Sequence, residues 1–537
     1  MDLRNHHGLL IDDMPEMRSS MRIQLADAGL EKCDQARNIK EAVDRLTSNR
    51  YDLIVCDYNL GQGADGQQFL ELVRRKRLLP LSTAFLMVTG ETGYEQVSTA
   101  AEFAPDDYLL KPFTTEQLGV RLGRILDKKA ALRPVYRHMD GGDRAKALAA
   151  CDELLARGGR YTLELLRLKG ELLAGLGRNE EVLALYESVL GQRATPWAQV
   201  GKARALATLG REEDAREHLQ RALEAYPNYL ATYDSLVQIV GKTDRQAAQQ
   251  IVEQALKVAP STQRQRQLGG LALENRDFAR AETAFRRAVE KDRTGFFKGH
   301  DDYVGLATSC VEQGKTMEAL AAVKDMGASF ANTPELQARQ AAMECQVHVK
   351  TGNEAAAQAA LERALTVQKK GGLDPKAALD VAQACFASGR QDDARQIIQS
   401  VAEDHHENDA VLARAQAVFA QAGLGDEGTV FLEATRKRMI KLNNDAVALA
   451  KAGELEQAIA MLTEAADRLT NNAQIALNAA LALLMRVHRE GTDDTAVARA
   501  RDYIRQARHA NPEHPRLAEL AAFYRKIAPA GAPPLEE

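Results

Sequence analysis

The chain has 537 residues, 45% hydrophobic, 27% charged and 5% aromatic, and 70 basic against 75 acidic residues leave a formal charge of −5. That length can bury a large core without disulfides or a structural metal, and the interspersed charge signs argue against a dedicated nucleic-acid binder. Six scattered cysteines without a Cys-x-x-Cys pair, an N-terminus (MDLRNHHG) with no apolar stretch, and no run near ~18 apolar residues predict a cytoplasmic protein without membrane insertion.

Up to about Lys129, short apolar runs alternate with helical patterns: GLLI (8–11), DLIVC (52–56), AFLMV (84–88) and YLL (108–110). Between them lie segments such as QQFLELVRRKR, with Phe69, Leu70, Leu72 and Val73 at helical spacing. Short buried strands alternating with helices predict a doubly wound, parallel α/β sheet. Thr114 and Gln117 form a capping box ahead of Leu118, Leu122, Ile125 and Leu126, so a helix starts there. Residues 127–140 carry the chain onward, and Pro134 predicts a helix break within them.

Beyond residue 140 strand signals vanish and strong helix formers dominate. A turn residue, usually glycine, is followed five positions later by a small or aliphatic residue. The pairs are Gly142/Ala147, Gly177/Val182, Gly210/Ala215, Thr243/Ala248, Arg276/Ala281, Gly314/Ala319, Gly352/Ala357, Gly389/Ala394, Gly425/Val430, Gly453/Ala458 and Thr495/Ala500. Their period predicts an all-α solenoid of about eleven helical hairpins. The expected organisation is a sheet domain over 1–129, a linker over 130–141, the solenoid over 142–520 and a disordered tail over 521–537.

Polar residues stand where the predicted strands stop. Asp12 and Asp13 follow the first, Asp57 the third, Thr89 the fourth and Lys111-Pro112 the fifth. In an open doubly wound sheet, ligands bind outside the carboxyl ends of the strands. Carboxylates gathered there need a cation to offset their repulsion, and hard oxygen ligands suit Mg²⁺.

The runs LLIDDM, LIVCDYNL, FLMVTGE and DYLLKPF resemble, in order and spacing, the receiver domain of two-component response regulators over residues 5–129. The resemblance implies a flavodoxin-like five-stranded parallel sheet in the order 2-1-3-4-5 and a phosphoacceptor at Asp57. It further implies Mg²⁺ held by Asp12, Asp13, Asp57 and the main-chain carbonyl of Asn59, with Lys111 on the phosphoryl oxygens. Thr89 becomes the switch hydroxyl and Tyr108 the switch aromatic. Two departures stand out: the loop NLGQGADG is one residue longer than usual and lacks the common proline, and Pro105 replaces a small residue.

In the later region, KARALATLGREEDAREHLQRALEAYPN (202–228) resembles the tetratricopeptide motif, and Ala281/Phe285/Ala288, Ala357/Leu361/Ala364, Ala458/Leu462/Ala465 and Ala500/Ile504/Ala507 keep its offsets. Alanine at successive turns lets helix backbones approach, while the larger residue fills the neighbouring groove. This resemblance implies an unidentified protein partner along the concave face and leaves a homodimer open. Trp197, Tyr226, Tyr229, Tyr233, Phe296 and Phe297 read as core residues first and as binding anchors second. GKT at 241–243 and 314–316 lacks the upstream glycine of a phosphate loop, having Leu236 and Ser309 instead, and is read as a turn. His405 and His406 are expected to be exposed in a polar loop.

Together the resemblances imply a response regulator. A sensor histidine kinase or phosphotransfer protein would phosphorylate Asp57, and the change would modulate protein binding by the repeats. No nucleic acid and no enzyme activity beyond self-catalysed phosphoryl transfer are expected. The rival is a constitutive scaffold in which the receiver only docks.

Overall fold

The computed structural model describes residues 3–61, 65–90, 104–291, 298–491, 493–512, 514–528 and 535. It divides into two units, Met1–Gln313 and Gly314–Glu537. The first unit opens with β1 (His7–Ile11), α1 (Pro15–Asp27), β2 (Lys32–Ala36), α2 (Ile39–Ser48), β3 (Leu53–Asp57), α3 (Gly66–Arg75), β4 (Ala84–Thr89), β5 (Asp107–Leu110) and α4 (Thr115–Asp140). All pairings are parallel, and the strand order is 2-1-3-4-5.

The sheet's two cores follow from the period-2 alternation of strand side chains. Leu9, Ile11, Ile54, Cys56, Phe85 and Met87 pack against Ile39, Ala42 and Leu46 of α2 and Phe69, Leu70 and Val73 of α3. Leu10, Leu53, Val55, Leu86 and Val88 pack on the other face against Met21 and Leu25 of α1 and Leu118, Leu122 and Ile125 of α4.

The break expected at Pro134 is absent: α4 runs unbroken for 26 residues with Pro134 inside it. Proline removes one backbone donor and crowds the preceding turn, which alone would bend or end the helix. Here both flanks are held. Leu122, Ile125 and Leu126 belong to the sheet core, while Leu132, Val135 and Tyr136 enter the first solenoid core. Each fully buried aliphatic side chain contributes about 2 kcal/mol, so several together exceed the proline cost of about 3 kcal/mol. The stretch expected as a linker is therefore helical to Asp140. The Thr114–Gln117 capping box is present as expected.

Helical hairpins follow. Their turns use the left-handed region, which glycine enters without strain: φ is +75° at Gly142, +73° at Gly177 and +79° at Gly210. Arg276 takes the same place with φ +61° despite its side chain. The residue five positions on is buried in each case: Ala147, Val182, Ala215 and Ala281. Both GKT triplets lie at turns. Tyr233 is buried, and Trp197, Tyr226 and Tyr229 are half-buried, so core packing dominates among these aromatics. Phe296 and Phe297 lie outside the described residues.

The second unit continues the pattern at Gly314, Gly352, Gly389 and Gly453, but three expectations change. The turn assigned to Gly425 lies at Gly423, with φ +76°. Gly425 already begins the helix Gly425–Lys451, and Val430 is exposed. The buried small position is Gly428, where a Cβ would overlap Phe419. Thr495 likewise sits inside the helix Asp494–Ala510 rather than in a turn. The helix Leu517–Ile527 runs into the expected tail and buries Tyr524.

His406 is not exposed either. It is 5% accessible, and its Nδ1 lies 3.1 Å from Asn472 Nδ2. Beside it, Glu403 accepts from Arg438 at 2.9 Å and Arg468 at 3.3 Å. His405 is half-buried, whereas Glu407 and Asn408 are exposed, so solvent reaches only the far part of this polar loop.

Candidate functional site at the carboxyl edge of the sheet

β1 and β3 stop side by side, so the residues following them meet. Asp12 and Asp13 follow Ile11, and Asp57 is the last residue of β3. The ligand oxygens of Asp12, Asp13 and Asp57 lie within 4.8 Å of one another. Asp12 is buried, and its carboxylate accepts from the Met14 amide at 2.9 Å. Its carbonyl accepts from Arg18 at 2.6 Å, a contact with no signal in the spacing of the motif.

Lys111 arrives from the end of β5 with its amide donating to the Thr89 carbonyl at 2.7 Å. Its ammonium lies 3.1 Å from Asp57 Oδ2 and 3.7 Å from Asp12 Oδ2. The following Lys111–Pro112 peptide is cis. Burial raises the pKa of Asp57, with Lys111 opposing and Asp12 reinforcing the shift. The Asp12 pKa is also raised, chiefly by burial, against the pull of the Met14 amide and Lys111. Two enclosed carboxylates with upward shifts and one lysine are short of positive charge, which is the electrostatic condition of a cation site.

Thr89 ends β4, buried, opposite Leu110 of β5. Tyr108 stands on β5 beside Met87 and packs against the core containing Phe69 and Phe85. Asn59 is exposed two residues beyond Asp57. Thus Asp12, Asp13, Asp57 and Lys111 form one group, with Thr89 at its edge and Tyr108 directed toward the core. Gly66 holds the approach of α3: a Cβ there would collide with the Asp57 carbonyl. Part of the loop NLGQGADG (residues 62–64) lies outside the described residues.

A second buried charge group went unread in the sequence. Lys129 of α4 donates to the Leu81 carbonyl at 2.8 Å and pairs with Asp106 at 2.9 Å. Only Asp106, beside the DYLL run, hinted at it.

No helix among the described residues is long and apolar enough to cross a membrane. Comparison with known proteins gives a match to the response regulator receiver domain over residues 9–122 and to tetratricopeptide repeats over 196–239, 240–296 and 343–409. A chemotaxis protein CheY from Pseudomonas aeruginosa is 32% identical over 22% of this chain and 95% of its own length. Chemotaxis protein CheY-3 from Vibrio cholerae is 30% identical over 23% of this chain and 95% of its own. The solved CheY4 of Vibrio cholerae is 30% identical, covering 22% of this chain and 98% of its own at a TM-score of 0.20. With the strand order and the carboxylate–lysine group already in place, the family-model matches and the Pseudomonas aeruginosa relative assign the chain to the response regulator receiver family, extended by tetratricopeptide repeats.

Proposed function

We propose that Asp57 is a phosphoacceptor and that its modification changes how the repeats engage a partner protein. The observation that carries this reading is the Lys111 ammonium at 3.1 Å from Asp57, beside the Asp12 and Asp13 carboxylates. An Asp57 oxygen attacks phosphorus, the bond to the donor's leaving group breaks, and an acyl phosphate remains. Lys111 offsets charge on the phosphoryl oxygens, and the Thr89 hydroxyl stands at the pocket edge to hydrogen-bond one of them. The oxygen donors Asp12, Asp13, Asp57 and the Asn59 carbonyl suit Mg²⁺, which when bound would neutralise the acidic pocket and orient the phosphoryl group. The donor would be a sensor histidine kinase or phosphotransfer protein, and the chain acts as a regulator rather than an enzyme.

Incubation with acetyl phosphate and Mg²⁺ should add one phosphoryl group to the intact mass, and Asp57→Asn should abolish it. Undiminished labelling of the variant sinks the assignment. A constitutive scaffold, the rival, would bind its partner equally with and without the modification.

A further inference from the structure

Two windows between neighbouring helices carry different aromatic rings. Phe285 fills the space left by Gly269 and Gly305, and Tyr186 fills the space left by Gly170 and Gly201. A Cβ at any of the four glycines would overlap the ring. Phe285 ends in carbon. Tyr186, from the helix Asn179–Gln192, carries a hydroxyl between the helices Thr162–Gly175 and Pro196–Thr208, where it finds no hydrogen-bond partner among the described residues.

The face beside that window is rich in donors. Arg167 lies three residues before Gly170 and Glu171 one after, on the same side of the helix, with Arg167 Nε 3.4 Å from the Glu171 carboxylate. Arg204 lies one turn beyond Gly201. Its Nε donates to Ser235 Oγ at 2.9 Å, and it has no carboxylate partner among the described residues. Trp197 meets Tyr186 edge-on at 5.9 Å. Arg167, Glu171, Arg204 and Tyr229 all act electrostatically on Tyr186. Two guanidiniums, Arg167 and Arg204, thus act on the one carboxylate of Glu171, with the Tyr186 ring beside them and Trp197 at its edge.

The receiver reaches the same row of helices. Lys128 of α4 pairs with Glu164 at 3.4 Å, and Arg75 donates to Gln263 at 2.6 Å. Arg75 belongs to the run Arg74-Arg75-Lys76-Arg77, of which Lys76 and Arg77 are exposed. Farther along the row the charges cancel internally: Arg264 pairs with Asp234 at 3.2 Å and Arg266 with Asp302 at 2.8 Å. A nucleic acid, with regularly spaced phosphates, needs repeated basic rungs. A single donor cluster followed by neutral rungs fits one or two carboxylates on an extended chain.

We propose that this row docks an acidic segment of a partner protein, with an Asp or Glu carboxylate held by Arg167, Arg204 and the hydroxyls of Tyr186 and Tyr229 while the flanking chain lies on Trp197. The guanidinium fork suits a carboxylate, and the aromatic rings supply contact area at low entropic cost. This deepens the protein-binding reading of the repeats and rests on it.

The test uses the full chain and a dye-labelled oligo-glutamate peptide, with oligo-glutamine and single-stranded oligothymidylate as controls. The glutamate peptide should bind, and the glutamine peptide should not. Arg204→Gln should weaken binding roughly tenfold, the loss of one charge-assisted contact, and Tyr186→Phe, which keeps the ring, about threefold. Arg221→Gln, on an exposed arginine near Glu217 in the helix Glu212–Ala225, should leave it unchanged. Absent binding, equal binding of the glutamine peptide, indifference to Arg204→Gln, or oligothymidylate binding more tightly through Arg204 would overturn the proposal. Acetyl phosphate labelling of the same preparation separates the two readings. Labelling without peptide binding sinks only the docking site, whereas peptide binding without labelling sinks only the phosphoacceptor.

Discussion

Lys129 leaves the sheet domain on α4, yet its ammonium turns back to Asp106 at 2.9 Å, at the start of β5. The same ammonium reaches the Leu81 carbonyl and lies 5.2 Å from the Tyr136 ring centre. Asp140, at the helix end, accepts from the Leu81 amide at 3.2 Å. The β4-side loop of the receiver is therefore gripped at two heights along one helix.

Removing one partner of a buried ion pair leaves the other uncompensated. Lys129→Met should cost about 3 kcal/mol of stability in the first unit, while Lys129→Met with Asp106→Asn should cost less than the two single changes summed. Urea denaturation of the four chains closes the cycle. Additive losses would show that the pair has no energetic coupling.

Burial raises the pKa of both Asp12 and Asp57. Protons therefore compete with a cation over a pH range reaching above the ordinary carboxylate values, and cation binding needs the deprotonated forms. Mg²⁺ affinity, followed by calorimetry, should fall as pH drops from about 7 to about 5. Asp57→Asn should weaken binding and flatten that dependence. A pH-independent affinity would count against these carboxylates as ligands.

In the second unit Asp404 is pushed up from 3.8 to about 6, chiefly by burial, although Asn471 hydrogen-bonds it. A raised acid holds its proton longer in the folded state, so folding is favoured at low pH and loses stability as pH rises through that window. Asp404→Asn should then stabilise the chain by about 1–2 kcal/mol near pH 7, after discounting for partial exposure, and by little near pH 4. Equal effects at both pH values in urea titrations would falsify this cause.

The site was legible because chemistry-bearing residues stop the strands: Asp12, Asp13, Asp57, Thr89 and Lys111 each follow or end an apolar run. β2, KCDQA, was not legible as a strand, since it pairs only with β1 at the sheet edge and buries little besides Ala36. Pro134 misled because local backbone preference was outweighed by two cores gripping one helix. The Gly423 repeat is masked in the sequence because its packing position is Gly428, a residue with no apolar signal; only its contact with Phe419 reveals the role. His406 looked solvated because its partner, Asn472, lies 66 residues away.

The helix Gly425–Lys451 passes from one second-unit core to the next: Leu432 belongs to the first and Met439, about two turns on, to the second. Where other repeats offer a glycine turn, this junction offers only helical backbone. A protease that samples the array by local opening finds cleavable turns at Gly389 or Gly453 but none between those cores. Nicking should therefore spare residues 430–445, releasing fragments that keep the junction whole.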